Sequence, residues 1–307
     1  MTCHLLYTVE LPLAPSRCFG VERTSTEQHP EAIGHPDGAV QAPFGSSVFR
    51  AFPPEEGTVI AVRATQSEVE TLPVPGVRLR LLGCFGLSHG QAIARLPMAA
   101  QRLATLLAIR GETMDRSRAA GTLWPEVDTH HAMANLRTAL WRLRSTRFQI
   151  VEPIGQALRL SPRVDVDLRD REDLAHRALR GELPRDEARG ASAALSLDVL
   201  LDWDDEWLVF DRERFHELRL HALERLCDQL AAWGDHAEAV ECALLAIEAE
   251  PLRESAHRAL MRAHIAEGNH ARAMQHLHSL TRQLWQELEV EPSQETIDLA
   301  RRPRLSG

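Results

Sequence analysis

The sequence predicts a mainly α fold, in which a winged helix-turn-helix (α+β) domain is followed by an all-α, TPR-like helical repeat domain. Three observations carry this expectation. Residues 77–160 read in the order strands, helix, short helix, long helix, hairpin. Beyond Val164 nearly every segment has apolar residues at spacings of three and four. Gly234, His236, Ala237 and Ala239 recur as Gly268, His270, Ala271 and Ala273, each offset by 34 residues, which is the tetratricopeptide period.

Each element has a local cause. VRLRL, from Val77, alternates apolar and basic residues and then meets Gly83, Gly86 and Gly90, a pattern of short antiparallel strands and tight turns. QRLATLLAIRG places Leu103, Leu106, Leu107 and Arg110 at helical spacing, with Gly111 as the stop. Asp115 can cap a short helix through SRAAGTLW, which Pro125 ends. Asp128 or Thr129 can cap the longest helix of this region, reaching Ser145. FQIVEPIGQALRLSP then joins two apolar runs through Gly155-Gln156, a hairpin signal. Further on, Pro251 lies where a helical repeat turns after its second helix. The expected domains are therefore a poorly ordered arm over 1–75, rich in Pro, Gly, Ser and Glu, a winged helix over 76–163, helical repeats over 164–300 and a tail over 301–307.

Charge is unevenly placed along these segments. The 307 residues carry a net charge of -9. Residues 1–75 hold 4 Arg against 9 acidic residues, 76–160 hold 12 against 5, and 161–307 hold 19 against 30. A basic middle between acidic flanks is the footprint of a polyanion partner. There is no lysine, which removes a Walker A phosphate loop. The chain also lacks a G-x-S-x-G elbow, an H-E-x-x-H helix and a G-x-G-x-x-G turn after a strand, so it reads as a non-enzyme without catalytic residues or cofactor. Five cysteines lack any C-x-x-C pair and the 15 histidines do not converge with them, so no metal is expected. With no long apolar run and no secretory leader, a cytoplasmic location without membrane contact is expected. The acidic run DWDDEW, Asp202–Trp207, precedes a helix and reads first as helix capping, next as an acidic docking surface.

The basic charge concentrates in ANLRTALWRLRSTR, Ala134–Arg147. On a helical wheel Met133, Leu136, Leu140 and Leu143 form one narrow stripe that must face a core. Asn135, Thr138, Arg142 and Ser145 fall opposite, Arg137 and Trp141 flank one edge, and Arg144 lies beside the stripe. Such a face suits a solvated surface or a DNA groove. No acidic residue occurs from Thr129 to Phe148, so the i, i+4 ion pairs that would neutralise a solvated face are missing. Arginine forks and short polar groups are what a major-groove helix needs.

The middle segment resembles the OmpR/PhoB-type winged helix that stands at the front of the Streptomyces antibiotic regulatory protein (SARP) family, through RLRLLG at 78–83, AAQRLATLLAIRG, TLWP at 122–125 and LRTALWRLR at 136–144. The segment after Asp165 resembles the bacterial transcriptional activation domain of that family, through WLVFDRERFHELRLHALERL, GDHAEAV, EPLRES at 250–255, ALMRAHIAEGNHARAM and LWQELEVEPSQET. The resemblance covers residues 77–300. It implies a transcriptional activator that binds repeats in double-stranded promoter DNA, as a homodimer on DNA, and recruits RNA polymerase. The helix from Thr129 to Ser145 would be the recognition helix. Thr138, Trp141, Arg142 and Arg144 fall where members of the family contact bases or phosphates, the helical wheel adds Asn135 and Arg137 and the basic run adds Arg147 to the residues that would face DNA, and Arg159 stands where the wing of the family reaches the minor groove. The wing departs from the family pattern at Ala157-Leu158, where a Gly-Tyr pair is usual. A protein-interaction or ligand-sensing helical module, in which the winged fold docks a protein partner, is the alternative class.

Overall fold

The computed structural model describes residues 76–146 and 148–301, so the expected arm over 1–75 and Arg147 lie outside the described residues, as does the tail beyond Arg301. The chain begins its described part with β1 (Val77–Arg80), which pairs antiparallel with β2 (Gly86–His89); β2 in turn pairs with β3 (Ala92–Ile93). Leu79 and Leu87, facing each other in register, are buried, whereas Arg78 and Arg80 point outward, as period-2 alternation requires.

Three helices follow: α1 (Met98–Arg110), α2 (Arg116–Leu123) and α3 (Thr129–Ser145). Gly111 ends α1 in the left-handed region, φ 66°, and its N–H donates to the Leu107 carbonyl. Asp115 caps α2 by accepting from the Ser117 N–H at 2.8 Å. The short strand β4 (Met114–Asp115), the hairpin strands β5 (Val151–Ile154) and β6 (Ala157–Leu160) form a second sheet in the order β4-β6-β5. Gly155, at φ 57°, makes the two-residue hairpin turn.

Two strands escape the sequence reading, the two-residue β4 and a longer one. β7 (Val164–Val166) runs parallel to β1 and completes the first sheet, in the order β3-β2-β1-β7. Three alternating residues are too short a signal to separate from the helix that follows.

The rest is helical: α4 (Asp167–Arg180), α5 (Arg185–Ala194), α6 (Glu206–Trp233), α7 (His236–Ala249), α8 (Glu254–Glu267), α9 (His270–Leu288) and α10 (Gln294–Arg301). The 34-residue offset has a backbone origin. Gly234 and Gly268 end α6 and α8 at φ 83° and 90°, donating to Ala231 and Ile265, while Asp235 and Asn269 donate back to Leu230 and His264. Both are the same double-bonded helix termination, which needs a residue free to adopt positive φ. Alanines and leucines of α4 to α8 make a second core, in which Cys227 and Cys242 are fully buried; burial pushes the Cys242 thiol up to about 12 and the Cys227 thiol higher.

The winged helix and the helical part share one core. Val199, Trp203, Leu208 and Phe215 pack with the leucines of β1, α1 and α3. The connection from α5 to α6 also lies along the β1–β2 connection: the Gly83 N–H donates to Asp198 O at 2.8 Å and the Leu200 N–H to Leu81 O at 3.0 Å. Asp167, the first residue of α4, accepts from the Leu81 and Leu82 N–H groups at 2.8 and 3.2 Å. Arg212 secures this connection from below, donating to the carbonyls of Val199, Leu200 and Trp203. These bonds satisfy backbone groups that would otherwise be buried without partners. Among the described residues no helix is long and apolar enough to cross a membrane.

Candidate nucleic-acid interface

Helix α3 is built from its cap outward. The Asp128 Oδ1 atom accepts from the N–H groups of His130 and His131 at 2.9 and 3.1 Å. The other oxygen pairs with the His131 ring, and these bonds, the ring contact foremost, hold the Asp128 carboxyl below the usual range. Leu136, Leu140 and Leu143 are buried with Ala132 and Ala139, and Met133 packs on the edge of the same core. That apolar stripe anchors α3 against α1 and α2 and sets which face turns outward.

The outward face carries most of the residues read from the sequence. Arg137, Thr138, Trp141, Arg142, Arg144 and Ser145 are exposed, and Asn135 is half-buried. No carboxylate among the described residues comes within 4.0 Å of the guanidinium groups of Arg137, Arg142 or Arg144, and the flanking acids Asp128 and Glu152 are engaged with His131 and Arg159. Trp141 is 60% exposed. The Arg142 guanidinium lies over its ring, 4.8 Å from the centroid, so the indole holds the charge in a stacked position. Thr138 bonds its own helix through the Ala134 carbonyl.

The hairpin behaves differently. Arg159 sits opposite Glu152 in the β5–β6 register and donates to its carboxylate at 2.6 Å; Ser161 donates to the other oxygen at 2.7 Å. The two bonds, Arg159 first, hold the Glu152 carboxyl below the ordinary range. Arg159 is thereby neutralised within the hairpin. Arg163, which the sequence reading did not single out, is exposed and without such a partner among the described residues. With Arg144 it borders a cavity of about 400 Å³ between the end of α3 and β5. Its signal in the sequence was only a lone arginine after Pro162.

Two further groups of side chains take their roles from the fold. Asp128, His130 and His131 bring potential ligand atoms within 4.8 Å of one another at the surface, with Asp128 already committed as the cap of α3. In the DWDDEW run the capping expectation fails. Asp205 occupies the N-cap position of α6 yet makes no bond to a helix N–H; its carboxylate takes Arg102 and the Trp207 Nε1–H instead. The contact that wins is long-range, 103 residues away in sequence.

The chain is similar to known regulatory proteins. The bacterial transcriptional activator domain matches residues 164–302. The regulatory protein AfsR of Streptomyces griseus is 30% identical over 256 residues, which is 78% of this chain and 26% of that protein. AfsR of Streptomyces coelicolor is 32% identical over 205 residues, 64% of this chain and 21% of that protein. The chain thus spans about a quarter of the length of these relatives. Among solved structures, Mycobacterium tuberculosis EmbR in complex with a low affinity phosphopeptide shares the fold, with a TM-score of 0.53 and 18% identity over 74% of this chain and 64% of that one. Residues 164–302 are a bacterial transcriptional activator domain, and the chain that carries them behind a winged helix is similar to the SARP-type regulatory protein AfsR.

Proposed function

We propose that this protein is a non-enzymatic transcriptional activator working in the cytoplasm. In this reading α3 lies in the major groove of double-stranded promoter DNA. Asn135, Arg137, Thr138, Trp141, Arg142, Arg144 and Arg147 face the duplex, and the helical domain helps engage RNA polymerase. Two copies bind side by side on repeated half-sites. Residues 76–163 act as the DNA-binding domain and residues 164–300 as the activating one, with no cofactor required.

The observation that carries this reading is the outward face of α3, where three guanidinium groups stand without a carboxylate partner among the described residues. A phosphate backbone supplies the missing charge, and release of its counterions drives much of the affinity. Arg142, held over Trp141, is a preorganised fork for a guanine edge or a phosphate. Arg159 enters as a proposal of a different kind: to reach a minor groove it must exchange Glu152 for DNA, so its share of the binding energy is reduced by the lost pair.

The test is the affinity for duplex DNA as a function of salt, followed by competition between upstream fragments and random duplex. Log affinity falling steeply and linearly with log salt is the expected outcome. Absence of binding at low salt would overturn the assignment.

A further inference from the structure

We infer that the groove between the α2–α3 turn and the start of α6 is a docking site for a basic amphipathic helix of a protein partner. The groove encloses about 630 Å³ and is walled by Arg102 and Arg110 of α1, Leu123 of α2, Pro125 of the turn, and Trp207 and Phe210 of α6. Phe210 is 85% exposed, the most exposed large apolar side chain among the described residues. Trp207 lies beside it, half-buried, its indole fixed by the hydrogen bond from Nε1 to Asp205. An indole fixed in a concave site is a good anchor for a partner, because little entropy is lost when it is covered, and the exposed Phe210 adds apolar area beside it.

The charge of the groove selects the occupant. Arg102 pairs with Asp205 at 3.0 Å and Arg110 with Asp211 at 3.1 Å, so both cations of the wall are already neutralised. Glu126, Asp204 and Glu206 line the same groove, are exposed, and have no basic partner within 4.0 Å among the described residues. An aromatic floor under three uncompensated carboxylates repels DNA and fits a helix with an apolar stripe bordered by Arg or Lys. Side-chain capping does not account for the acidic run, since the Asp205 carboxylate makes no bond to an α6 N–H and takes Arg102 instead. The lining comes from both the winged helix and the helical domain, so a bound helix would engage the two halves together. This inference is independent of DNA binding by α3.

The experiment uses the full chain and a fluorescent 14-residue Leu/Lys peptide with helical amphipathic spacing, against a permuted peptide of equal composition without that spacing. Anisotropy titrations are run on the wild type, on Phe210→Ser, and on Glu126→Gln/Asp204→Asn/Glu206→Gln. The expected result is binding of the amphipathic peptide alone, weakened at least tenfold in each variant, with hydrogen-exchange protection at 121–127 and 204–210. All substituted residues are exposed, so circular dichroism should match the wild type for both variants, and the uncharged Phe210→Ser change should leave duplex DNA affinity unchanged. Equal peptide affinity for wild type and both variants, equal binding of the permuted peptide, or protection confined to other segments would each overturn the proposal.

Discussion

Replacing Arg142 and Arg144 together by alanine separates a DNA-reading helix from a solvated one. Both side chains are exposed and without a carboxylate partner among the described residues, so the folded protein loses no ion pair. What it loses is the stacking of Arg142 over Trp141, worth about 0.5–1 kcal/mol at an exposed site. Stability should therefore change by about 1 kcal/mol or less. Binding should change far more: each arginine contributes about 1–3 kcal/mol, or about 5- to 160-fold in affinity. The salt dependence divides that loss by cause. Each phosphate contact removed lowers the slope of log affinity against log salt by about 0.9, so two lower it by about 1.8. Between about 50 and 200 mM salt, the variant would then lose about 12-fold less affinity than the wild type. A drop of only about 0.9 would assign one of the two guanidinium groups to a base edge instead. The assay is a fluorescence anisotropy titration with a duplex at four salt concentrations, beside thermal melts of both proteins. Superimposable affinities and slopes would refute the reasoning and send the search for the DNA face elsewhere.

Three further outcomes follow from the packing. Leu140→Ala, at a site 4% exposed, should cost about 2–5 kcal/mol in urea unfolding, and Leu140→Asp should prevent folding because it buries an unpaired charge. Asp167→Ala leaves the Leu81 and Leu82 N–H groups without their acceptor and should destabilise by about 2–4 kcal/mol; an unchanged denaturation midpoint would show that the clamp between the two halves is dispensable. Stability should also fall on acidification from pH 7 to pH 5. His257 takes the Pro251 carbonyl with Nε2 and the His276 ring with Nδ1, and burial, with the neighbouring His257 and His264, holds His276 down at about 4. Burial lowers His257 as well, against the opposing pull of the Pro251 carbonyl and then of Glu254. The unfolded chain takes up protons near the ordinary histidine value of about 6.5, before the folded one does, so stability present at neutral pH is lost as pH falls from there toward about 4. Melting temperatures across that range, compared with His276→Gln, test this; a variant with the same slope as the wild type would contradict it.

Short-range order was open to reading from the sequence alone. The caps at Asp115 and Asp128, the stop at Gly111, the Gly155-Gln156 turn and the glycine pair 34 residues apart each act through bonds within a few residues, so the residues themselves specify the elements. The outward face of α3 was equally legible, because helical period decides which side chains leave the core once one stripe must enter it. Only the tertiary structure decided what depends on distant partners. β7 joins β1 across 87 positions of sequence, Asp205 takes Arg102 rather than an N–H of its own helix, and Val199 to Phe215 complete a core that begins at Leu79. Arg159 and Arg144 are the same residue in composition, yet a facing strand pairs one with Glu152 and leaves the other bare. Periodicity records which way a side chain points; whether a charge meets its opposite depends on what the fold sets across from it.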